Sequence, residues 1–427
     1  MLALLVSLFI QAAPEKEAPK KESPPKEIIA ITGVRVITVG KEDLSIANIL
    51  IGDGKIIEIG KEVSVPEGAT VIEGKGLTAL PGFISPYSRI ASVGESSSGS
   101  NSPGTLAFDS FDPTDRRLES LPKHGFTTLG IYPSQGTVSG QGLAVKMRWA
   151  DKAGMVLQKS AFLRIRMSRG TSTKKMLKTV LGKAKKYIEE EKGYLEAKKK
   201  YEAEKKKREA EKKPAEGKKA STEKKPAEGK KAPEKPLVAP KAPKKPDANT
   251  LVYIRFLKGD LPGIIEISSP ADLAHWEQVM KEFSGMAPRK TYVCQSNMFK
   301  AVDRVKKEKY RIAMTPELTF LPYTRTRINA PGEISLAGGQ LVMRPSSYST
   351  FLHQMAEMVK FGLPRETALK SFTLYAAEMI GLEKKIGSLE KGKDGDVVLL
   401  SGDPFAFSTR VVKVLVDGKV VHTEETP

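Results

Sequence analysis

The chain has 427 residues, a formal net charge of +20 and one cysteine, Cys294. A single hydrophobic core stops growing at about 250–300 residues, so this length predicts a main domain with a smaller companion. One cysteine excludes an internal disulfide framework and favours a buried, unreactive thiol.

The N-terminus combines the apolar run MLALLVSLFI with Ala12 and Ala13. This run is too short to span a bilayer and is typical of a secretory signal. We therefore predict a signal peptide over residues 1–13, a disordered Pro-rich and charged spacer over 14–27, and export to the periplasm or the cell exterior. No Lys or Arg precedes the run, so the alternative is a mis-assigned start and a cytoplasmic protein.

Short β-rich runs occupy both ends of the remaining chain. Asp53-Gly54 separates ANILI from KIIEIG, and Asp417-Gly418 separates VVKVLV from KVV. Asp-Gly between two apolar runs is a strong signal for a tight hairpin. We predict that residues 28–80 and 386–424 form one composite β-sandwich.

The middle of the chain, residues 81–182 and 248–385, alternates strand-like runs with amphipathic stretches. This pattern predicts an α/β domain with parallel strands. The candidate strands are TALPGFISP, GFTTLGIYP, AFLRIRM, LPGIIEIS, TYVCQS, YRIAMTP and GQLVMRP. The candidate helices are DPTDRRLESLPKHG, SPADLAHWEQVMKEF, NMFKAVDRVKKEK, STFLHQMAEMVKFG and LPRETALKSFTLYAAEMIG. In the fourth helix Phe351, Met355 and Met358 share one face, which predicts core packing.

A Lys-, Glu- and Pro-rich insertion over residues 183–247 separates the two parts of this domain. Residues 183–245 contain 23 Lys and Arg against 12 Asp and Glu, so they carry 11 of the 20 excess charges. The first part predicts a charge-laced helix, and two copies of EKKPAEGKKA, starting at Glu211 and Glu223, predict disorder. The insertion favours weak attraction to polyanions. Because no aromatic residues are interleaved in the repeats, specific nucleic-acid binding is not expected.

Several of these segments together resemble a known family. The stretches GKIIEIG, ATVIEGKGLTALPGFI, HGFTTLGIYPSQGTVSGQGLAVKMR, ALKSFTLYAAEMIGLEKKIGSLEKGKDGDVVLLSGDP and VLVDGKVVH are similar to the amidohydrolase superfamily, in particular its imidazolonepropionase-like branch. The resemblance implies a (β/α)8 TIM-like barrel with a small β-sandwich made of both chain ends. It also implies hydrolysis of carbon–nitrogen bonds outside peptides, with one or two divalent metals such as zinc at the barrel mouth.

The positions that match the family's metal site hold different residues here. Tyr87 and Arg89 stand where the His-x-His pair is expected, with Ser85 in place of the aspartate. Glu266 and Gln295 stand at the next two histidine positions, and Ser346 lies at or beside the terminal aspartate position. Arginine remains cationic and repels a divalent ion, and a single carboxylate is a poor cage. The resemblance therefore predicts a degenerate member without a metal or another cofactor.

The four histidines do not restore a metal site. His124, His275, His353 and His422 are expected in helices or in the terminal β-unit, away from the ends of the barrel strands. We interpret each as structural or exposed.

Three functional hypotheses remain open. The first is an exported, non-catalytic homologue that holds a small molecule in the former pocket, forms a homo-oligomer or pairs with an active relative. The second is an active hydrolase of non-peptide C–N bonds in which Glu266, Tyr87 and Arg89 act as base, proton donor and oxyanion clamp. The third is a surface adaptor that acts through residues 183–247.

Overall fold

The computed structural model describes residues 27–94, 100–134, 136–149, 153–168, 170–212, 237–321 and 323–424. The predicted signal peptide and nearly all of the predicted spacer lie outside the described residues, as do both EKKPAEGKKA repeats except for Glu211 and Lys212 of the first.

A terminal sheet brings the two chain ends together. Its strands are β1 (Ile28–Val36), β2 (Leu44–Gly52), β3 (Lys55–Gly60), β4 (Thr70–Glu73), β5 (Thr78–Pro81), β16 (Val397–Leu400), β17 (Val411–Val416) and β18 (Lys419–Thr423). They are ordered β18-β17-β16-β5-β1-β2-β3, with β4 also paired to β1. The two-layer form of the predicted sandwich stays a prediction.

Both predicted Asp-Gly hairpins are confirmed. Asp53 and Gly54 have φ angles of 49° and 78° between β2 and β3. Asp417 and Gly418 have φ angles of 47° and 74° between β17 and β18. Two consecutive positive φ angles match the right-handed twist of the flanking strands, and Asp-Gly is among the sequences that tolerate them best.

The second large sheet is a nearly closed barrel. Its strands are β6 (Phe83–Ser88), β7 (Phe126–Ile131), β8 (Val138–Lys146), β9 (Val156–Arg166), β10 (Gly263–Ile267), β11 (Lys290–Cys294), β12 (Arg311–Met314) and β15 (Gln340–Met343). They are ordered β15-β12-β11-β10-β9-β8-β7-β6. A short hairpin outside the barrel is formed by β13 (Thr319–Phe320) and β14 (Arg327–Ile328).

One barrel strand breaks the expected parallel arrangement. β8 was not among the candidate strands, and it pairs antiparallel with both β7 and β9. Only residues 132–137 connect β7 to β8. A parallel crossover needs a dozen or more residues, so the short connection forces a reversal of direction. The prediction of an all-parallel barrel was therefore wrong at this strand.

The predicted strand TALPGFISP is two strands in two different sheets. The chain leaves the terminal sheet after β5 and enters the barrel at β6, with Gly82 between them. The Gly82 N–H donates to the Asp396 carbonyl at 2.9 Å, and a Cβ at Gly82 would lie 2.0 Å from Thr127 Oγ1. Only glycine therefore fits where the two sheets meet.

The helices are α1 (Thr171–Lys212), α2 (Ala248–Lys258), α3 (Pro270–Met280), α4 (Val302–Glu308), α5 (Ala330–Leu336), α6 (Phe351–Lys360), α7 (Arg365–Ser371) and α8 (Leu374–Met379). Phe351, Met355 and Met358 of α6 are fully buried, which confirms their predicted core role. α8 contacts β6 and β15, the two edge strands of the barrel sheet. Within the described residues, no helix is both long and apolar enough to cross a bilayer.

Two helix predictions were wrong in part. Over residues 112–125 the structure has turns and only a short 3-10 helix at 122–124, because the Asp112 and Asp115 carboxylates accept the backbone N–H groups of Thr114 and Arg117. Such local bonds compete with helix formation. The predicted helix LPRETALKSFTLYAAEMIG is divided into α7 and α8 at Thr373, whose φ of −126° and ψ of −95° are not helical.

Both α1 and residues 237–247 have half-buried residues at regular intervals. α1 begins before the predicted insertion boundary at residue 183 and buries Leu177, Leu181 and Ala184. Farther along it, Tyr187, Tyr194 and Tyr201 are half-buried at intervals of seven. In residues 237–247 every third residue is half-buried and the others are exposed; the half-buried ones are Leu237, Pro240, Pro243 and Pro246.

Candidate functional site

The interior of the barrel is apolar in one layer and charged in the next. Phe162, Ile264 and Val342 belong to one buried cluster with other inward-facing strand residues. Side chains of a strand return to the same face every second residue. Arg164, Glu266 and Arg344 therefore point inward one layer nearer to the carboxyl ends of the parallel strands, where barrel enzymes bind their ligands.

Arg164 is the centre of this polar layer. Its Nε donates to the Tyr87 hydroxyl at 2.7 Å, and one terminal nitrogen donates to Ser139 Oγ at 3.0 Å. The other terminal nitrogen forms an ion pair with Glu266 Oε2. The Tyr87 hydroxyl also donates to the same carboxylate oxygen at 3.3 Å. Arg164 thus connects strands β6, β8, β9 and β10 across the barrel mouth.

Aromatic rings hold this network in place. The Tyr87 and Tyr132 rings stack with centroids 3.9 Å apart and planes 14° apart. The Arg164 guanidinium lies 5.0 Å from the Tyr132 centroid, and the Arg344 guanidinium lies 5.6 Å from that of Tyr87. Burial raises the pKa of Tyr87 well above its ordinary value, although the nearby Arg164 charge opposes the shift. Tyr87 is therefore a neutral hydroxyl over the whole physiological pH range.

Two further arginines leave the mouth with excess positive charge. Arg166 has a side chain that is 58% exposed, with its Nε 3.7 Å from Glu266 Oε1. Arg344 forms no side-chain hydrogen bond or ion pair with any described residue, and its Nε is buried without a partner. The network thus contains three guanidinium groups and one carboxylate, with Arg164 and Arg166 beside Glu266 and Arg344 over the Tyr87 ring. A buried donor without an acceptor is costly, so the site has capacity for an additional anion.

The structure brings together two of the five residues predicted at the metal positions. Tyr87 and Glu266 share a hydrogen bond. Arg89 lies just beyond β6 and is exposed, and Gln295 is exposed beside β11. Ser346 is exposed and bonds to Gln354. Ser85, in contrast, is buried and lies 3.1 Å from the Tyr348 hydroxyl.

Sequence reasoning missed Arg164 and Arg344 as site residues. Both lie in predicted strands, AFLRIRM and GQLVMRP, where each interrupts an apolar run. An arginine at an otherwise buried strand position was the available signal, since such residues are almost never buried without a partner.

The residues at the mouth do not fit a divalent metal. Glu266 supplies the carboxylate, but its Oε2 accepts from both Arg164 and Tyr87. Guanidinium groups cannot ligate a cation and repel it. Among the described residues, no three His, Cys, Asp or Glu side chains are grouped so that they could hold a metal ion.

The cysteine and the histidines lie outside the polar network. Cys294 is buried, as predicted, and burial raises its pKa. His275 lies 3.3 Å from Lys174 Nζ. His124, His353 and His422 line one cavity of about 360 Å³, and burial lowers the pKa of His124 and His422. The grouping of these three histidines could not be predicted from their separation in sequence.

A second buried ionic network lies at the opposite end of β8. Lys146 Nζ donates to Asp394 at 2.5 Å and to Asp396 at 3.2 Å, and it forms an ion pair with Asp417. Lys55 and Arg148 complete the network through Asp394 and Asp417. Because these aspartates belong to the C-terminal part of the chain, the network joins the barrel to the terminal sheet.

Comparison with known proteins supports the resemblance in the C-terminal part. Residues 338–422 match the model of the amidohydrolase family. Curated relatives include an imidazolonepropionase of Kosmotoga olearia, 34% identical over 83 residues, and amidohydrolase tasK of Hapsidospora irregularis, 33% identical over 69 residues. These segments cover 18% and 16% of this chain and only 20% and 7% of the two relatives. The C-terminal segment therefore carries the amidohydrolase sequence pattern.

Solved structures extend the likeness to the whole fold. An amidohydrolase from Thermotoga maritima superposes with a TM-score of 0.68 at 22% identity, over 93% of this chain and 100% of that one. A structure of a putative prolidase from Bifidobacterium longum has a TM-score of 0.51 at 13% identity, over 93% and 95% of the two chains. At these identities the likeness shows the fold, which is an amidohydrolase-type barrel, and fold alone does not establish an activity.

Proposed function

We propose that this chain is a non-hydrolytic, amidohydrolase-fold protein that binds a small anionic ligand at the barrel mouth. The observation that carries the proposal is the arrangement of the three arginines. Arg164 is committed to Glu266 and Tyr87, whereas Arg344 has no acceptor and Arg166 is largely exposed. A carboxylate or phosphate would supply the acceptors that the protein itself lacks.

The charge balance argues against hydrolysis by the family's metal chemistry. A metal-bound water needs a cation held by carboxylates and imidazoles. Here the one carboxylate of the network is neutralised by the Arg164 guanidinium, and the Arg166 guanidinium lies 3.7 Å from it. The same groups that would exclude a divalent cation favour an oxyanion, for which arginine is the preferred partner.

Calorimetric titration of the purified chain with succinate and with inorganic phosphate tests anion binding. We expect saturable binding that weakens at least tenfold in Arg344→Met, while Lys360→Met, at an exposed position on α6, leaves it unchanged. Absence of binding by both anions, or equal binding by Arg344→Met, would overturn the proposal. Stoichiometric zinc, iron or manganese at the barrel mouth after purification would also contradict it.

A second candidate function is hydrolysis of a non-peptide C–N bond without a metal, favoured by the Tyr87–Glu266 hydrogen bond. In this scheme Glu266 acts as base and Tyr87 as proton donor, and the exposed Arg89 is replaced by Arg164 as the clamp. The raised pKa of Tyr87 makes it a weak acid, which disfavours this role. An amidase activity that Glu266→Gln abolishes in metal-free protein would establish the hydrolase and exclude a purely binding role.

A further inference from the structure

A cavity of about 580 Å³ lies on the outside of the barrel, away from the mouth. It lies at the amino ends of two barrel strands, because Lys290 begins β11 and Tyr310 directly precedes β12. Helices α3 and α4 form its other walls. Its volume is within the range of small-molecule sites, about 300–1,000 Å³.

Three of the ten residues that line this cavity are aromatic. Trp276 of α3 and Tyr292 of β11 are buried, and the Tyr292 and Tyr310 rings meet edge to face with centroids 4.9 Å apart. The Trp276 indole N–H lies near the Tyr292 hydroxyl but makes no hydrogen bond of normal geometry within the described residues. These side chains supply the apolar part of the cavity.

The polar side chains that line the cavity provide more hydrogen-bond donors than acceptors. Glu277 is already engaged, since Arg304 and the Tyr310 hydroxyl each donate to it at 2.6 Å. The Lys290 ammonium is half-buried, and within the described part of the chain it has no hydrogen bond or ion pair, although Glu308 lies on the rim. Burial lowers the pKa of Lys290. An unpaired cation beside apolar rings is costly unless an anion accompanies it.

We propose that this cavity is a binding site for a small aromatic anion, an aryl carboxylate or aryl phosphate. The ring of the ligand packs among Trp276, Tyr292 and Tyr310, and its anionic group accepts from Lys290. Lys307 on the rim of the cavity adds attraction for the anion. The site is separate from the three arginines of the barrel mouth, so it does not depend on the function proposed above.

Tryptophan fluorescence provides a direct test, because the chain has only two tryptophans. In Trp149→Phe the emission reports on Trp276 alone. We expect benzoate and phenyl phosphate to change this emission saturably. Phenol lacks the charge and inorganic phosphate lacks the ring, so both should bind at least tenfold more weakly.

Matched variants locate the site. Lys290→Met should weaken, at least tenfold, the binding of both aromatic anions that Trp276 reports, whereas Lys360→Met should not change it. Ligand-observed NMR on Arg344→Met, in which anion binding at the barrel mouth is weakened, serves as a second measurement in case Trp149→Phe is unstable. No saturable binding of either aromatic anion overturns the proposal, as does equal binding of phenol or unchanged binding in Lys290→Met.

Discussion

The two ends of the barrel hold buried ionic networks of opposite character. The network at the end opposite the mouth is called the lower network. It pairs three cations with three carboxylates, so the formal charges balance; its members are Lys146, Lys55, Arg148, Asp394, Asp396 and Asp417. At the mouth, the network contains three arginines and one carboxylate, that of Glu266. The balanced network has a structural role because it joins two sheets. The unbalanced one has unused donors, which is the property expected of a binding site.

The largest expected effect tests the lower network. Lys146→Met removes the cation that contacts the buried carboxylates of Asp394 and Asp396 and the half-buried one of Asp417, and breaking such a network costs about 3–5 kcal/mol. We expect a loss of this size in the free energy of unfolding, measured by urea denaturation. Lys55→Met is the control: its side chain is half exposed, so its loss should stay below about 1 kcal/mol. Equal small losses would show that the lower network does not hold the two sheets together.

A smaller effect concerns the pH dependence of the same network. Burial and the neighbouring carboxylates raise the pKa of Asp396 to about 6, and Lys146 opposes the shift. An acid with a raised pKa in the folded state contributes stability that is complete below its unfolded value, about 3.9, and lost as the pH rises through about 6.

Asp396→Asn should therefore remove a gain in unfolding free energy that the wild type shows between pH 7 and pH 4.5. Urea titrations at several pH values measure this difference. Asp394→Asn is the comparison. Because the pKa of Asp394 is lowered, its contribution to the free energy of unfolding is lost only when the pH falls below the ordinary pKa of an aspartate. If Asp396→Asn keeps the full pH dependence, another group is responsible for it.

The smallest effect on stability is expected at Arg344. Arg344→Met replaces an unpaired buried Nε by an apolar chain of similar length, so the free energy of unfolding should change by less than about 1 kcal/mol. Arg164→Met, in contrast, removes the main ion pair of Glu266 and the hydrogen bond to Ser139. It should cost about 1–3 kcal/mol, since Glu266 is 24% exposed. Thermal denaturation of both variants measures the contrast. A large loss in Arg344→Met would assign that residue to the structural framework rather than to binding.

Local patterns predicted the elements better than their arrangement. The two Asp-Gly turns and the buried face of α6 depend on neighbouring residues and were predicted correctly. The antiparallel direction of β8 follows from its short connection to β7, but β8 was not among the candidate strands. The division of TALPGFISP at Gly82 depends on packing between distant segments, and the sequence pattern did not contain it.

The candidate site, likewise, was predicted only in part from the sequence. From the sequence, the family resemblance predicted that Tyr87 and Glu266 stand at strand-end positions where the family has histidines. The contacts with Arg164, the position of Arg89 outside the network and the missing acceptor of Arg344 are evident only in the folded chain. Lys146 likewise meets Asp394 and Asp396 across about 250 residues of chain. These partners meet only when the barrel packs against the terminal sheet. The pairing is required because an unpaired buried charge is costly.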